Sequence, residues 1–367
     1  MMITQEAILD ALRHVEEPDL KKDLVTLGMV KDIEVKDRDV HFTVVLTTPA
    51  CPLKELIRMR CEEAIHTHVA DDVRVFINMV ADVTSTRVGK TPLLPDVKNI
   101  ICVASGKGGV GKSTVAANLA LALAQTGARV GLIDADISGP SIPIMFGAED
   151  TNPGVVNEDG KNWIIPIHRF GIKLLSIGFL APAEAPVVWR GPMMSSALRQ
   201  FLGDAKWGAL DYLLIDMPPG TSDVHLTLVQ SVPVTGAVIV TTPQKVALGD
   251  AVKGMMMFRQ KQVNVPILGV VENMAYFTPA ELPDNKYYIF GKGGGRSLAE
   301  QYNVPFIGEV PLVQTIRESG DEGTPAVLRG ADDPAAKAFQ EVAEALAQQV
   351  AIRNASMAQT RPVEIKL

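Results

Sequence analysis

The sequence predicts an α/β chain in which a small α+β domain precedes a doubly wound, mostly parallel sheet. Three observations predict it. Seven short apolar runs recur after Lys98, and helical stretches separate most of them. Aspartates close two of these runs: V-G-L-I-D-A-D ends in Asp134 and Asp136, and D-Y-L-L-I-D ends in Asp216. A third run leads straight into G-K-G-G-V-G-K-S-T at Gly106–Thr114 and then an Ala/Leu-rich helix. Continuous apolar runs are how strands buried on both faces of a parallel sheet read. Strands alternating with helices imply crossover connections.

The chain has 367 residues, enough for two domains. Residues 1–82 read as the small α+β unit. Thr4–Val15 is predicted helical, with Thr4 as N-cap and Ile8, Leu9 and Leu12 on one face. Val40–Thr47 alternates in its first half and predicts a strand. Leu53–Ala70 predicts a second helix and Val73–Val80 a last strand. Residues 83–97 are rich in turn formers and read as a linker.

The second domain is expected over residues 98–353. Its buried strands are predicted at Ile100–Ala104, Val130–Asp134, Lys173–Ile177, Tyr212–Asp216, Ala237–Thr241, Ile267–Val271 and Phe306–Gly308. Its helices are predicted at Ser113–Ala124, Ser195–Gly203, Val246–Gln260 and Arg296–Gln301. Gly127 is a helix stop. Asp333-Pro334 reads as an N-cap and first-turn pair opening a helix to about Arg353. Phe339, Val342, Leu346 and Val350 share one stripe of that helix and are expected to pack on the sheet. Residues 354–367 are expected to form a flexible tail.

Composition narrows the function. Hydrophobic content of 47%, with 5% aromatic and 21% charged residues, suits an aliphatic α/β core. A net charge of −7 without a basic stripe argues against nucleic acid as a partner. The uncharged stretch Val224–Gln244 is broken by Pro233 and Gly236 and reads as helix end, loop and strand, so no membrane partner is expected. Three cysteines with no close pair fit a reducing cytoplasm, and the amino terminus carries no signal-peptide pattern.

Gly106–Thr114 fits the phosphate-binding pattern G-x-x-x-x-G-K-[ST], with an extra lysine at Lys107. Gly106, Gly108, Gly109 and Gly111, with Val110 between them, let the backbone curl so that its N–H groups face phosphate oxygens. Lys112 is expected on the β/γ-phosphates, and the Ser113 hydroxyl suits Mg²⁺. The helix N-terminus that follows favours anions. Ligands of such sheets sit beyond the carboxyl ends of the strands, where Asp134, Asp136 and Asp216 fall. One aspartate there can hold Mg²⁺ and another can orient the attacking water. A Mg²⁺-dependent ATPase is the expectation. Gly291–Gly295 (G-K-G-G-G) lacks the Lys-Ser/Thr and reads as a loop.

Taken with D-A-D-I-S-G-P-S-I-P, D-M-P-P-G-T-S-D, T-T-P-Q, V-E-N-M and F-G-K-G-G-G, the glycine loop resembles the Mrp/ApbC ATPases. These are iron–sulfur cluster carriers of the deviant P-loop class that includes MinD, ParA, ArsA and the nitrogenase iron protein. The resemblance covers about residues 98–353. E-P-D-L, L-V-T-L-G-M-V and T-T-P-A-C-P resemble the small domain fused to Mrp proteins and found in SufT-like assembly factors. The resemblance implies a homodimer that delivers clusters to apoprotein clients. It implies that Lys107 reaches the partner's ATP and that Thr114 contacts phosphate. It implies that Asp136 positions water, Asp134 and Asp216 support magnesium, and Asn273 binds the adenine edge.

One departure stands out. The family carries C-P-x-C after the N-M motif, whereas Thr278 and Glu281 stand at those places here. Cys102 lies in a strand and Cys61 in mid-helix, so both read as structural. Cys51, in T-P-A-C-P, matches a family motif and is the candidate for a cluster or thiol role. One cysteine per chain gives a dimer two ligands where a [4Fe–4S] cluster takes four. The alternative function is an ATP-gated scaffold that docks partners through residues 1–82 and holds no cluster. A MinD/ParA-like positioning role would call for a basic amphipathic C-terminal helix, which V-E-I-K-L does not supply. His66, His68, His168 and His225 read as surface or capping residues.

Overall fold

The computed structural model describes residues 3–87, 93–136, 139–179, 191–279, 281–282, 284–358 and 360–363. Of the expected linker and tail, residues 88–92, 359 and 364–367 lie outside the described set. The chain divides into two compact units, one of residues 1–84 with 351–357, the other of 85–350 with 358–367.

In the first unit the elements run α1 (Gln5–Leu12), β1 (Glu16–Glu17), β2 (Lys22–Asp23), β3 (Val30–Lys36), β4 (Asp39–Leu46), α2 (Lys54–His68) and β5 (Arg74–Ala81). Thr4 caps α1, its Oγ1 accepting from the Ala7 amide at 3.2 Å. β3 and β5 flank β4, antiparallel and parallel respectively. β4 buries alternate residues Val40, Phe42, Val44 and Leu46, as a sheet with one covered face requires. These meet Ile8 and Leu12 of α1 and Ile57 and Ile65 of α2 in one core.

The second unit runs β6 (Val97–Ser105), α3 (Lys112–Gln125), β7 (Val130–Asp134), α4 (Ile142–Met145), β8 (Gly154–Glu158), β9 (Lys161–Ile165), β10 (Ile167–Arg169) and β11 (Ile172–Ser176). It continues with α5 (Gly191–Gly203), β12 (Leu210–Asp216), α6 (Asp223–Ser231), β13 (Gly236–Thr241), α7 (Lys245–Arg259) and β14 (Ile267–Phe277). It closes with α8 (Gly294–Tyr302), β15 (Phe306–Leu312), α9 (Gln314–Asp321) and α10 (Pro334–Ser356), whose last turns belong to the first unit. An eight-stranded sheet has the order β10-β11-β7-β12-β6-β13-β14-β15. It is parallel except for β10 at its edge. Every residue of β7, β12 and β13 is buried, which their unbroken apolar runs anticipate.

Helix ends follow the sequence signals. Gly127, at φ 99°, ends the chain path of α3 in a conformation that favours glycine. Asp333 Oδ1 accepts from the Ala335 and Ala336 amides at 2.8 and 3.1 Å and caps α10. Phe339, Val342, Leu346 and Val350 are all buried. Burying each such side chain is worth about 1.5–3 kcal/mol. A Cβ on Gly308 of β15 would stand 2.6 Å from Val342, so this stripe packs on the sheet as expected.

Two expectations need correction. The tail does not fray at residue 354. Helix α10 runs to Ser356, Thr360 donates its amide to Thr86 at 3.1 Å, and Val363 donates to Val229 at 2.9 Å. Nor is the expected linker loose where it is described. Leu94 and Val97 are buried, β6 already begins at Val97, and the Arg87 guanidinium donates to the carbonyls of Leu93, Leu94 and Val97. Backbone and guanidinium donors there find acceptors that turn-rich composition does not reveal.

Candidate functional site

Strands β6, β7 and β12 lie side by side and deliver their carboxyl ends together. Asp216 pairs in register with Asp134 of β7 and with Val103 of β6. The glycine loop leaves β6 at this point and turns into α3. Gly109 and Gly111 take φ of 79° and 78°, a region that side chains with a Cβ avoid. At Gly106 the reason for glycine is contact, since a Cβ would stand 2.0 Å from the backbone of Asp250 in α7. Ser105 Oγ donates to the Lys107 carbonyl at 3.0 Å and fixes the loop's entry.

Lys112 opens α3 and is buried, with 6% exposure. Its Nζ lies 2.6 Å from Asp216 Oδ1, 3.3 Å from Asp136 Oδ2 and 3.2 Å from Ser113 Oγ. Two carboxylates and one hydroxyl therefore surround the ammonium. Burial and the Asp216 charge push the Asp134 carboxyl up to about 8, against the pull of Ser176 and Lys112. Burial also raises Asp216, and Lys112 and Ser113 oppose the rise.

The three aspartates differ in what they can still bind. Asp134 accepts from the Asp136 amide at 3.1 Å through Oδ1, and from Ser176 Oγ at 2.9 Å and the Ile142 amide at 3.3 Å through Oδ2. Expected to support magnesium, it has both oxygens engaged and orders the backbone at Asp136. Asp136 Oδ1 and Asp216 Oδ2 are buried with no hydrogen-bond partner among the described residues. Open carboxylate oxygens beside the Ser113 hydroxyl are a donor set that fits Mg²⁺, which favours one or two carboxylates with phosphate oxygens. Thr114 is partly buried at the start of α3, and its carbonyl accepts from Asn118 Nδ2 at 2.8 Å. Lys107 is half-exposed and has no ion-pair partner among the described residues.

Asn273, expected at the adenine edge, borders the glycine loop. It is 6% exposed, and its Nδ2 donates to the Val110 carbonyl at 2.8 Å, inside the glycine loop. Gly111 is so close that a Cβ there would lie 2.2 Å from Asn273 Nδ2. Gly291–Gly293 form a loop as expected, while Gly294 and Gly295 already belong to α8. The Gly295 amide donates to the carboxylate of Glu272, the residue beside Asn273.

His225 is a capping residue, as the sequence suggests, but a buried one. The Ser222 amide donates to its Nδ1 at 3.2 Å, its ring meets Phe258 edge-on, and burial pushes its pKa down to about 4. Ser176, Glu272 and Ser105 were not anticipated. They are polar residues at strand ends, the signal that had pointed to the aspartates.

Cys51 belongs to the first unit. It is half-buried and packs against that unit's core. Cys61 and Cys102 are buried, and burial pushes the Cys61 thiol up to about 12 and raises Cys102 also. Among the described residues, no three His, Cys, Asp or Glu side chains converge as a metal-holding group. Thr278 is partly buried and Glu281 exposed, just past β14. His66 Nε2 lies 3.0 Å from the Val73 carbonyl, His68 stacks on His14 at 4.2 Å, and His168 is exposed.

A glycine loop between a buried parallel strand and a helix, with a buried lysine and strand-end aspartates, defines a P-loop nucleotide-binding protein. The chain belongs to the NUBPL iron-transfer P-loop NTPase family, whose model matches residues 96–347. Residues 5–77 match the iron-sulfur cluster assembly protein family. The iron-sulfur cluster carrier protein of Synechocystis sp. is 49% identical over 357 residues, spanning 96% of this chain and 99% of that one. The carrier of the same name from Haemophilus influenzae is 44% identical, over 93% of this chain and 90% of its own. Among solved structures, a nucleotide-binding protein of Archaeoglobus fulgidus in complex with ADP aligns with a TM-score of 0.56 and 40% identity. It covers 66% of this chain and 91% of its own.

Proposed function

We propose that this chain is a Mg²⁺-dependent ATPase, acting as a cytoplasmic homodimer, that carries iron–sulfur clusters and delivers them to apoproteins. The observation that supports the ATPase reading most directly is Lys112, buried between Asp216 and Asp136 at the start of α3. The relatives that are iron-sulfur cluster carriers support the cargo.

Backbone N–H groups of Gly106–Thr114 cradle the phosphates, and Lys112 moves its charge from the carboxylates to the β/γ-oxygens. Ser113 and Asp216 would hold Mg²⁺, which neutralises charge on the phosphate oxygens when bound. Asp136, kept in place by Asp134, orients a water through its open Oδ1 toward the terminal phosphorus. Lys107 of the partner subunit supplies a further positive charge to the transferring group.

Thiolates are the usual holders of a cluster. With Thr278 and Glu281 at the family's cysteine positions, Cys51 is the cysteine assigned to the cargo, with the remaining ligands from the client or a small thiol. The same two residues favour the second reading, an ATP-gated scaffold that docks partners through residues 1–82. Anaerobic reconstitution separates them. The carrier takes up iron and sulfide with a labile charge-transfer absorbance. A protein that takes up neither, even with a small thiol supplied, is the scaffold.

A further inference from the structure

Glu272 and Asn273 are consecutive on β14, so their side chains leave opposite faces of the strand. Asn273 holds the phosphate loop through the Val110 carbonyl at 2.8 Å, with Gly111 packed on its amide. Glu272, 1% exposed, holds the first turn of α8 through the Gly295 amide. The contact is close, since a Cβ on Gly295 would meet Glu272 Cβ at 3.0 Å.

Just beyond, the strand is irregular. Met274 takes φ 54°, which is costly for a residue with a long side chain, and the pairing with β15 shifts register between Asn273 and Phe277. Phe277 and Tyr287 then exchange amide–carbonyl bonds, each 2.8 Å long. The segment Tyr287–Gly295 is therefore fastened at one end by Phe277 and at the other by Glu272. Between these ties Tyr287, Tyr288 and Ile289 are exposed by 46%, 38% and 59%.

We propose that Glu272 and Asn273 are positioning residues that tie the phosphate loop to the Tyr287–Gly295 segment, so that nucleotide at the loop is sensed at that segment. The inference rests on the nucleotide reading of Gly106–Thr114. A nucleotide that draws the loop's amides inward also moves the Val110 carbonyl. Asn273 follows it, and the strained turn at Met274 lets the strand end shift as a unit. Glu272 and Phe277 carry the shift to both ends of the segment. An element with two arrangements, biased from one side and read from the other, is what coupling between sites requires.

Hydrogen–deuterium exchange tests this on the full chain, with Mg²⁺ and a non-hydrolysable ATP analogue as the probe. In the wild type the analogue slows exchange at Gly106–Thr114 and changes it at Tyr287–Gly295 by about 5-fold or more, the low end of site-to-site coupling. Asn273→Asp keeps the shape and replaces the donor facing Val110 by an acceptor. Glu272→Ala leaves the phosphate loop untouched and frees α8. At saturating analogue both variants keep protection at the loop and lose the response at Tyr287–Gly295. A segment response that survives undiminished in either variant overturns the proposal. So does a wild type whose loop is protected while the segment stays unchanged. A wild type with no protection at Gly106–Thr114 overturns the nucleotide reading itself.

Discussion

Asp134 and Asp216 end neighbouring strands in direct register, both fully buried, yet of the two it is Asp216 that meets Lys112, at 2.6 Å. Asp134 is left with neutral donors and a like charge beside it. A carboxyl in that position holds its proton, and burial pushes it up to about 8.

The consequence for stability has a definite sign. The folded pKa of Asp134 lies above the unfolded value, so the folded state binds the extra proton between about pH 4 and pH 8 and is destabilised as pH rises through that window. Asp134→Asn removes the titration. Denaturant unfolding should show the variant gaining on the wild type from about pH 4 to pH 8. A difference in stability that does not change with pH contradicts the assignment.

Asp136 should matter more for turnover than for binding. Its open Oδ1 faces no described donor, and its amide is fixed by Asp134. Asp136→Ala should bind ATP within a few-fold of wild type while turnover falls by about 10²–10⁴, the usual contribution of a positioned acid–base group. Equal losses in both, by equilibrium binding and phosphate release, would make Asp136 a binding residue instead.

Lys107 should act across the dimer. It is half-exposed and has no ion-pair partner among the described residues, unlike Lys112. Lys107→Ala should still bind nucleotide and lose about 10³–10⁵ in rate, as removing a charge supplied in trans does. Mixing Lys107→Ala with Asp136→Ala subunits should restore activity in one composite site. Subunit exchange without rescue would place the lysine in its own site.

Much of this architecture was legible in the residues. The glycine loop, the strand-end aspartates and the caps at Thr4 and Asp333 rely on local chemistry that a sequence displays. The hairpin of β8 and β9 was missed although Asp159-Gly160, at φ 51° and 77°, is a turn pair that sequence rules favour. Its strands bury little, so no alternation marked them. Asn273 and Asp134 were found as residues but not as to what they hold. Their partners Val110 and Ser176 lie 163 and 42 residues away. Spacing along a chain does not encode which neighbour a side chain will face after folding.

Cys51 should be the reactive thiol. It is half-buried, whereas Cys61 and Cys102 are fully buried with thiol pKa values raised by burial. Alkylation of the folded protein, mapped by mass spectrometry, should label Cys51 first. Cys51→Ala should take up less iron and sulfide on reconstitution while ATP binding is unchanged. Uptake equal to wild type would remove Cys51 from the cargo site.

The most direct test of the nucleotide site at Gly106–Thr114 is thermal unfolding of the wild type and Lys112→Ala with and without Mg-ATP. Ligand at 100 times its Kd stabilises by about 2.7 kcal/mol. For a domain of this size that is a rise in Tm of about 5–10 °C. The wild type should show this rise and Lys112→Ala should lose most of it. Melting curves that ATP leaves unchanged in both proteins, with no ATP retained on equilibrium dialysis, would contradict a nucleotide site at this loop.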